Sequence, residues 1–185
     1  LTIDDGNCQV IETFTIPGTG SPEVTLQTVE TNCYNDSTGT ISATVTNNIG
    51  IVTYEWFNGT ASMGAPGAVN VADALAPGTY TVEVFDPGTG CFAYASGVVT
   101  APDTILFSSP TIIDPSCGGS CDGEAYVVVS GGTLPYAYTW TGNPSVGADA
   151  TSLCAGADTV IITDANLCTL LSEVIVNDPI AISIV

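Results

Sequence analysis

Two stretches of this chain are diverged copies of one unit, and this periodicity constrains the fold more than any other feature. Residues 33–58 align without a gap on residues 117–142, placing Cys33 on Cys117, Gly39 on Gly123, Val45 on Val129, Tyr54 on Tyr138 and Trp56 on Trp140. Residues 75–86 align on 153–164, keeping Leu75/Leu153, Gly78/Gly156, Val82/Val160 and Asp86/Asp164, and residues 91–102 align on 168–179. Self-similarity at a long fixed period marks a tandem array. The first residues, with Asp4, Asp5 and Cys8, match the end of a unit, and residues 179–185 match the start of another. The expected organisation is the end of a repeat at 1–21, one repeat at 22–102 and a second at 103–185, whose last residues enter the next. A window on a longer array accounts for both ends. The alternative is a subunit whose free N-terminal strand completes a neighbour by strand donation.

The charge pattern removes whole classes of function. The chain has 19 acidic residues and no Lys, Arg or His. Ion pairs between side chains are therefore impossible. Nucleic-acid binding is excluded, because neutralising phosphate needs Lys or Arg, and so is a polybasic membrane contact. No apolar stretch approaches the ~18 residues that insertion as a membrane helix requires. The acids are scattered rather than run together, and hydrophobic residues reach 45%, enough for packed cores. Unpaired negative charge repels itself, so stability should fall at low ionic strength.

Thr, Val, Ile, Gly, Pro and Asn dominate, with apolar residues alternating over short runs, which predicts strands. In the first repeat these are 23–31, 39–46, 52–57, 68–72, 79–85 and 92–100; in the second 104–113, 123–129, 136–141, 148–152, 159–163 and 169–176. Turn signals separate them, among them Asn58-Gly59, Pro77-Gly78 and Gly131-Gly132. The fold class is all-β: tandem immunoglobulin-like or fibronectin-like β-sandwich repeats of about 80 residues. Trp56 and Trp140 fall on the third strand, where such a sandwich buries an aromatic residue; an aromatic sugar platform is the alternative. Residues 75–80, ending in Tyr80, read as the approach to a tyrosine corner, lost in repeat two where Asp158 replaces the phenol.

Seven cysteines in an acidic β-rich chain point to an oxidising compartment. Cys121 falls on Ser37 and Cys154 on Ala76, so both are extra in repeat two and are expected to bond each other. Cys33/Cys117 and Cys91/Cys168 recur. One pairing is within repeats, Cys33–Cys91 and Cys117–Cys168, with Cys8 left over. The other crosses repeat boundaries, Cys8–Cys33 and Cys91–Cys117, with Cys168 left over. A fibronectin-like chain path puts the first and last turns at opposite ends, which weighs against the first.

The run Gly131-Gly132-Thr133-Leu134-Pro135-Tyr136-Ala137-Tyr138-Thr139-Trp140, preceded by Cys117 and Asp122-Gly123 and followed by Leu153, Gly156, Asp164 and Cys168, resembles the SprB-type repeat of Bacteroidota surface adhesins. Repeat one departs from it, with Asn47-Asn48-Ile49-Gly50-Ile51 in place of the Gly-Gly-x-x-Pro segment and a loop over 58–75 that is six residues longer. The resemblance implies an extracellular, immunoglobulin-like stalk or adhesin on a bacterial surface, exported by the type IX system and linked to gliding motility. It also implies O-glycosylation at Asp-Ser/Thr-apolar/Thr sites, matched by Ser37, Thr104 and Thr159.

Catalysis is not expected, since only carboxylates, Tyr and Cys remain as acids and bases. The recurring Asp86/Asp164 precedes a hairpin turn, where Asp commonly bonds backbone N–H groups. Calcium is the one cofactor worth carrying, with Asp86, Asp164, Asp103, Asp114 and Asp178 as candidate ligands. The expected role is a non-catalytic structural segment of a large extracellular protein, with neighbouring repeats as partners. The alternatives are a module binding surface glycans through the 58–75 loop and a self-assembling fibre subunit.

Overall fold

Alternating apolar and polar residues of high β-propensity turn into strands wherever Gly, Pro and Asn let the chain reverse. The computed structural model describes residues 2–4, 9–11 and 20–179, with side chains over 20–179. Every regular element among them is a strand. Near the start, β1 (Thr2–Asp4) pairs antiparallel with β2 (Gln9–Ile11).

In repeat one, β3 (Glu23–Val29), β4 (Gly39–Thr46) and β7 (Val71–Leu75) form one sheet in the order β3-β4-β7. The other has the order β6-β5-β8-β9, from β5 (Thr53–Asn58), β6 (Ala61–Ser62), β8 (Gly78–Asp86) and β9 (Cys91–Val99). Repeat two reproduces this topology. β11 (Thr111–Ile113), β12 (Gly123–Tyr126) and β15 (Asp149–Leu153) form one sheet, and β14 (Ala137–Trp140), β16 (Gly156–Thr163) and β17 (Thr169–Val176) the other. The fold class is therefore all-β, built from immunoglobulin-like antiparallel sheets. Segment 104–113, expected as one strand, is split. β10 (Leu106–Phe107) pairs with β13 (Val129–Ser130), whereas β11 pairs with β12. Pro110 stands between the two pieces and has no N–H to continue the ladder.

Burial alternates with period two along the strands. On β8, Tyr80, Val82, Val84 and Asp86 are buried and their neighbours are not. Both indoles are core: Trp56 is 8% and Trp140 3% exposed. The two tryptophans are held alike. Trp56 Nε1 donates to Val69 O and Trp140 Nε1 to Gly147 O. These carbonyls are equivalent once the longer loop is allowed for. So are the backbone bonds Ala43 N–H to Asn70 O and Val127 N–H to Ala148 O. The extra residues of repeat one form β6, a short strand added to β5 (Phe57↔Ser62, Asn58↔Ala61) that leaves the shared frame unchanged.

By compactness the described residues group into two units. One takes its residues from Leu1–Gln27, Ser42–Ala72 and Thr79–Gly97, the other from Thr28–Ile41, Asp73–Gly78 and Val98–Val185. The second unit has a core of Ile105, Ala125, Val127, Trp140, Ala150, Leu153, Val160, Ile162, Val174 and Val176. No helix among the described residues is long and apolar enough to cross a membrane.

Candidate functional site

The recurring acid organises the last hairpin turn of each repeat. Asp164 is 4% exposed. Its Oδ1 accepts the N–H of Asn166 and of Cys168, and its Oδ2 accepts the N–H of Thr133, each at 2.9 Å. It thus ties the β16–β17 turn to the loop before β14. That loop carries the Gly-Gly pair of the sequence motif. Gly131 and Gly132 lie at φ 74° and 60°, in the left-handed region that glycine enters freely. A side chain on Gly132 would meet Asp164 Oδ2 at 2.9 Å, so the glycine makes room for the carboxylate. Tyr136 closes the loop by donating its hydroxyl to Gly131 O. Repeat one reaches the same end by other residues. Asn47 takes the left-handed position at φ 61°, which Asn tolerates better than most residues. Asp86 Oδ1 accepts the Gly88 N–H, and its Oδ2 accepts the Ile49 N–H and the Thr89 hydroxyl. The Ile49 N–H above all keeps the Asp86 carboxyl below its ordinary value.

A second turn, after the first strand, is built around Cys33 and again around Cys117, and its two polar partners exchange places. In repeat one the Cys33 N–H donates to Asp36 Oδ2, the Asn32 N–H to Thr38 Oγ1, and the Thr38 hydroxyl to Asp36 Oδ1. In repeat two the Cys117 N–H donates to Ser120 Oγ, the Ser116 N–H to Asp122 Oδ1, and the Ser120 hydroxyl to Asp122 Oδ1. Asp36/Thr38 has become Ser120/Asp122, and these three bonds of the turn survive the exchange. Hydrogen bonds to a carboxylate favour its charged form. The Ser116 and Ser120 side chains, with the Ser116 N–H, hold Asp122 at about 2, and the Thr38 hydroxyl leads the lowering of Asp36. Sequence reasoning named Asp122 within the repeat motif but missed that Asp36, Thr38, Ser120 and Asp122 bond within these turns. Their signal is visible only after alignment, as an acid and a hydroxyl two residues apart in opposite order.

The cysteines bring the two kinds of turn together. Cys121 bonds Cys154 inside repeat two. Cys33 bonds Cys168, at a Cα–Cα distance of 5.7 Å and a sequence separation of 135. This corrects the expected pairs Cys33–Cys91 and Cys117–Cys168, and also the alternative Cys8–Cys33 and Cys91–Cys117; Cys8 lies outside the described residues. The reason is strand length. Cys91 opens β9, while the Thr31 N–H next to the Cys33 turn bonds Thr100 O just past the end of that strand. Nine residues of strand span roughly 30 Å, far beyond the ~6 Å a disulfide bridges. In repeat two the Asn177 N–H bonds Asp114, which puts the Cys117 turn beyond the end of β17, whereas Cys168 precedes its start. Cys91 and Cys117 are free thiols.

Around Cys33–Cys168, all within the second compact unit, lies a polar cleft of about 180 Å³ lined by Tyr34, Asp103, Thr104, Asp164 and Leu170 among others. Asn166 Nδ2 donates to Asn32 O there at 3.0 Å. The remaining acids are dispersed. Asp114 is engaged by Asn177, Asp103 O accepts the Gly132 N–H, and Asp178 lies near Gly118. Among the described residues no three Cys, Asp or Glu side chains converge as a metal site would need. Of the glycosylation candidates, Ser37 and Thr104 are exposed, and Thr159 is half-buried in β16 opposite Glu173.

Known proteins similar to the chain fit this geometry. The first three domains of the bacteriophage RB49 highly immunogenic outer capsid protein align at 16% identity with a TM-score of 0.51, covering 84% of this chain and 59% of that one. A C-terminal intimin fragment, solved with the intimin-binding domain of its translocated receptor, aligns at 15% identity with a TM-score of 0.42, covering 84% and 64%. The chain thus spans about three fifths of the length of these structures, and at such identity the first similarity speaks for the fold alone. No curated protein matches the chain. The SprB repeat family model matches residues 25–61 and 109–145. Each match runs from the first strand through the Cys turn and the buried Trp, so these two stretches are similar to the SprB repeat at equivalent places in the two units.

Proposed function

We propose that this chain is a non-catalytic structural segment of a large bacterial cell-surface adhesin or fibre, with one sandwich per repeat at 22–102 and 103–185. The observation that carries this reading is the Cys33–Cys168 bond, which couples the first turn of one SprB repeat to the last hairpin of the next. A covalent tie between successive modules suits a protein that transmits load. Two disulfides also support an oxidising, extracellular setting, and the repeat family supports export by the type IX system and a link to gliding. The acids that recur or sit beside the cysteines, Asp36, Asp86, Asp122 and Asp164, cap turns, which supports a scaffold rather than an enzyme. Ser37 and Thr104 are the exposed positions for O-linked sugar. An antibody to the chain is expected to label intact producing cells; labelling only after permeabilisation would overturn the reading.

A second reading, attachment to surface glycans, rests on one feature. The β6 insertion of repeat one has no counterpart in repeat two and exposes Met63. Glycan-array binding that disappears when residues 59–66 are shortened to the repeat-two length would establish it, and unchanged binding would refute it.

A further inference from the structure

Cys33–Cys168 joins the first-turn cysteine of one repeat to the hairpin cysteine of the following one. Among the described residues the structure therefore holds one such junction and one free cysteine of each of its two kinds. Cys117 is a first-turn cysteine, exposed and free; Cys91 is a hairpin cysteine, half-buried and free. Their settings match those of the bonded pair. The turn presenting Cys117 keeps three side-chain bonds of the Cys33 turn, with Ser120 and Asp122 in place of Asp36 and Thr38. The hairpin presenting Cys91 is anchored by Asp86 as that of Cys168 is by Asp164. Two contacts of the bonded hairpin are not reproduced: Asn166, which donates to Asn32 O, is replaced by Gly88, and the Cys168 N–H bonds Asp164 Oδ1 whereas the Cys91 N–H bonds Thr89 Oγ1.

We propose that Cys91 and Cys117 are the two halves of a second junction, closed between two copies of this chain, Cys117 of the copy that precedes bonding Cys91 of the copy that follows. Among the described residues each copy carries one free half of each kind, so the contact is heterologous and propagates instead of closing on itself. This rests on reading the chain as serial structural modules and adds how one segment engages the next. The chemistry is thiol–disulfide exchange with a small disulfide oxidant. One cysteine thiolate attacks oxidised glutathione, releasing one glutathione thiolate. The second cysteine thiolate then attacks the mixed disulfide and releases the other, so two thiols lose two electrons and two protons. Each copy carries 19 acidic residues and no Lys, Arg or His to offset them. Approach should therefore quicken with salt.

The test uses the full chain with Cys8→Ser, incubated at high concentration in oxidised and reduced glutathione with and without 0.5 M NaCl. Non-reducing electrophoresis is followed by peptide mapping with a Glu-specific protease and chymotrypsin. The expected product is a ladder whose cross-linked peptides contain Cys91 and Cys117, formed faster in salt. Mixing Cys91→Ala with Cys117→Ala chains should yield several-fold more dimer than either alone. Predominance of Cys117–Cys117 or Cys91–Cys91 bonds, a Cys91–Cys117 bond within monomers, or no cross-link at equilibrium would overturn the proposal. The unsubstituted cysteines supply the mapping result, so it stands whether or not the alanine variants fold. Labelling of intact cells is independent of all these outcomes, so the two readings fail separately.

Discussion

Replacing Asp164 should be the most damaging single change at any turn of repeat two. Its two oxygens accept three backbone N–H groups, from Thr133, Asn166 and Cys168. With Asp164→Ala these donors lose their acceptor in a site from which water is largely excluded. Leaving a buried donor unpaired costs about 1–3 kcal/mol. Partial hydration of the turn puts the total at about 3–5 kcal/mol rather than the full sum. Asp164→Asn should cost less, about 1.5–3 kcal/mol, because its Oδ1 can keep the Asn166 and Cys168 bonds while its amide faces the Thr133 N–H. Urea unfolding followed by Trp140 fluorescence in a Trp56→Phe background reads both. With a slope of about 2 kcal/mol/M, the alanine variant should lose about 1.5–2.5 M in midpoint. Asp149→Ala, at an exposed strand position, should stay within about 0.5 kcal/mol of the parent. An Asp164→Ala chain as stable as Asp149→Ala would refute the turn-capping account. Calcium-dependent stability lost only in the Asp164 variant would replace capping with metal binding.

Removing Cys121–Cys154 as Cys121→Ala/Cys154→Ala should cost about 3–4 kcal/mol in the chain-entropy model for a separation of 33 residues, read as a lower thermal midpoint for repeat two only. Gly39→Ala should destabilise the end of repeat one, since a Cβ there would lie 2.8 Å from Leu75 O and closer still to Val99; thermal melting that matches wild type would contradict the packing. The Asp122 carboxyl is held at about 2, below its ordinary 3.8. A depressed carboxylate stabilises the fold above its unfolded value and loses that effect as pH falls through the folded one. Asp122→Asn should therefore be less stable than the parent at pH 6, with the gap closing between about pH 4 and pH 2; a gap independent of pH would sink the assignment.

The repeat alignment made the frame legible because strands are local. β4 and β17 occupy residues 39–46 and 169–176, where alternation ran unbroken between turn signals. The buried tryptophans were likewise placed by their position on the third strand. Alternation did not expose the break at Pro110, because the change of strand partner between β10 and β11 is a matter of register. Cysteine partners were a harder problem. Alignment shows that Cys33 is equivalent to Cys117 and Cys91 to Cys168, and that Cys121 and Cys154 stand apart, yet it carries no information about which strand end meets which. Distance along β9 separates Cys33 from Cys91, and only folded coordinates supply the approach of Cys168. The exchange of Asp36/Thr38 for Ser120/Asp122 escaped notice for a related reason. A compensated swap resembles divergence until the hydrogen bonds are seen.

Non-reducing peptide mapping of the folded chain bears most directly on the whole account, because the link between one repeat and the next is its central physical claim. Glu-specific and chymotryptic digestion, needed because the chain has no Lys or Arg, should release a peptide pair joined through Cys33 and Cys168 that separates on reduction. Recovery of Cys33 joined to Cys91, or of Cys117 joined to Cys168, would contradict the junction and the function built on it.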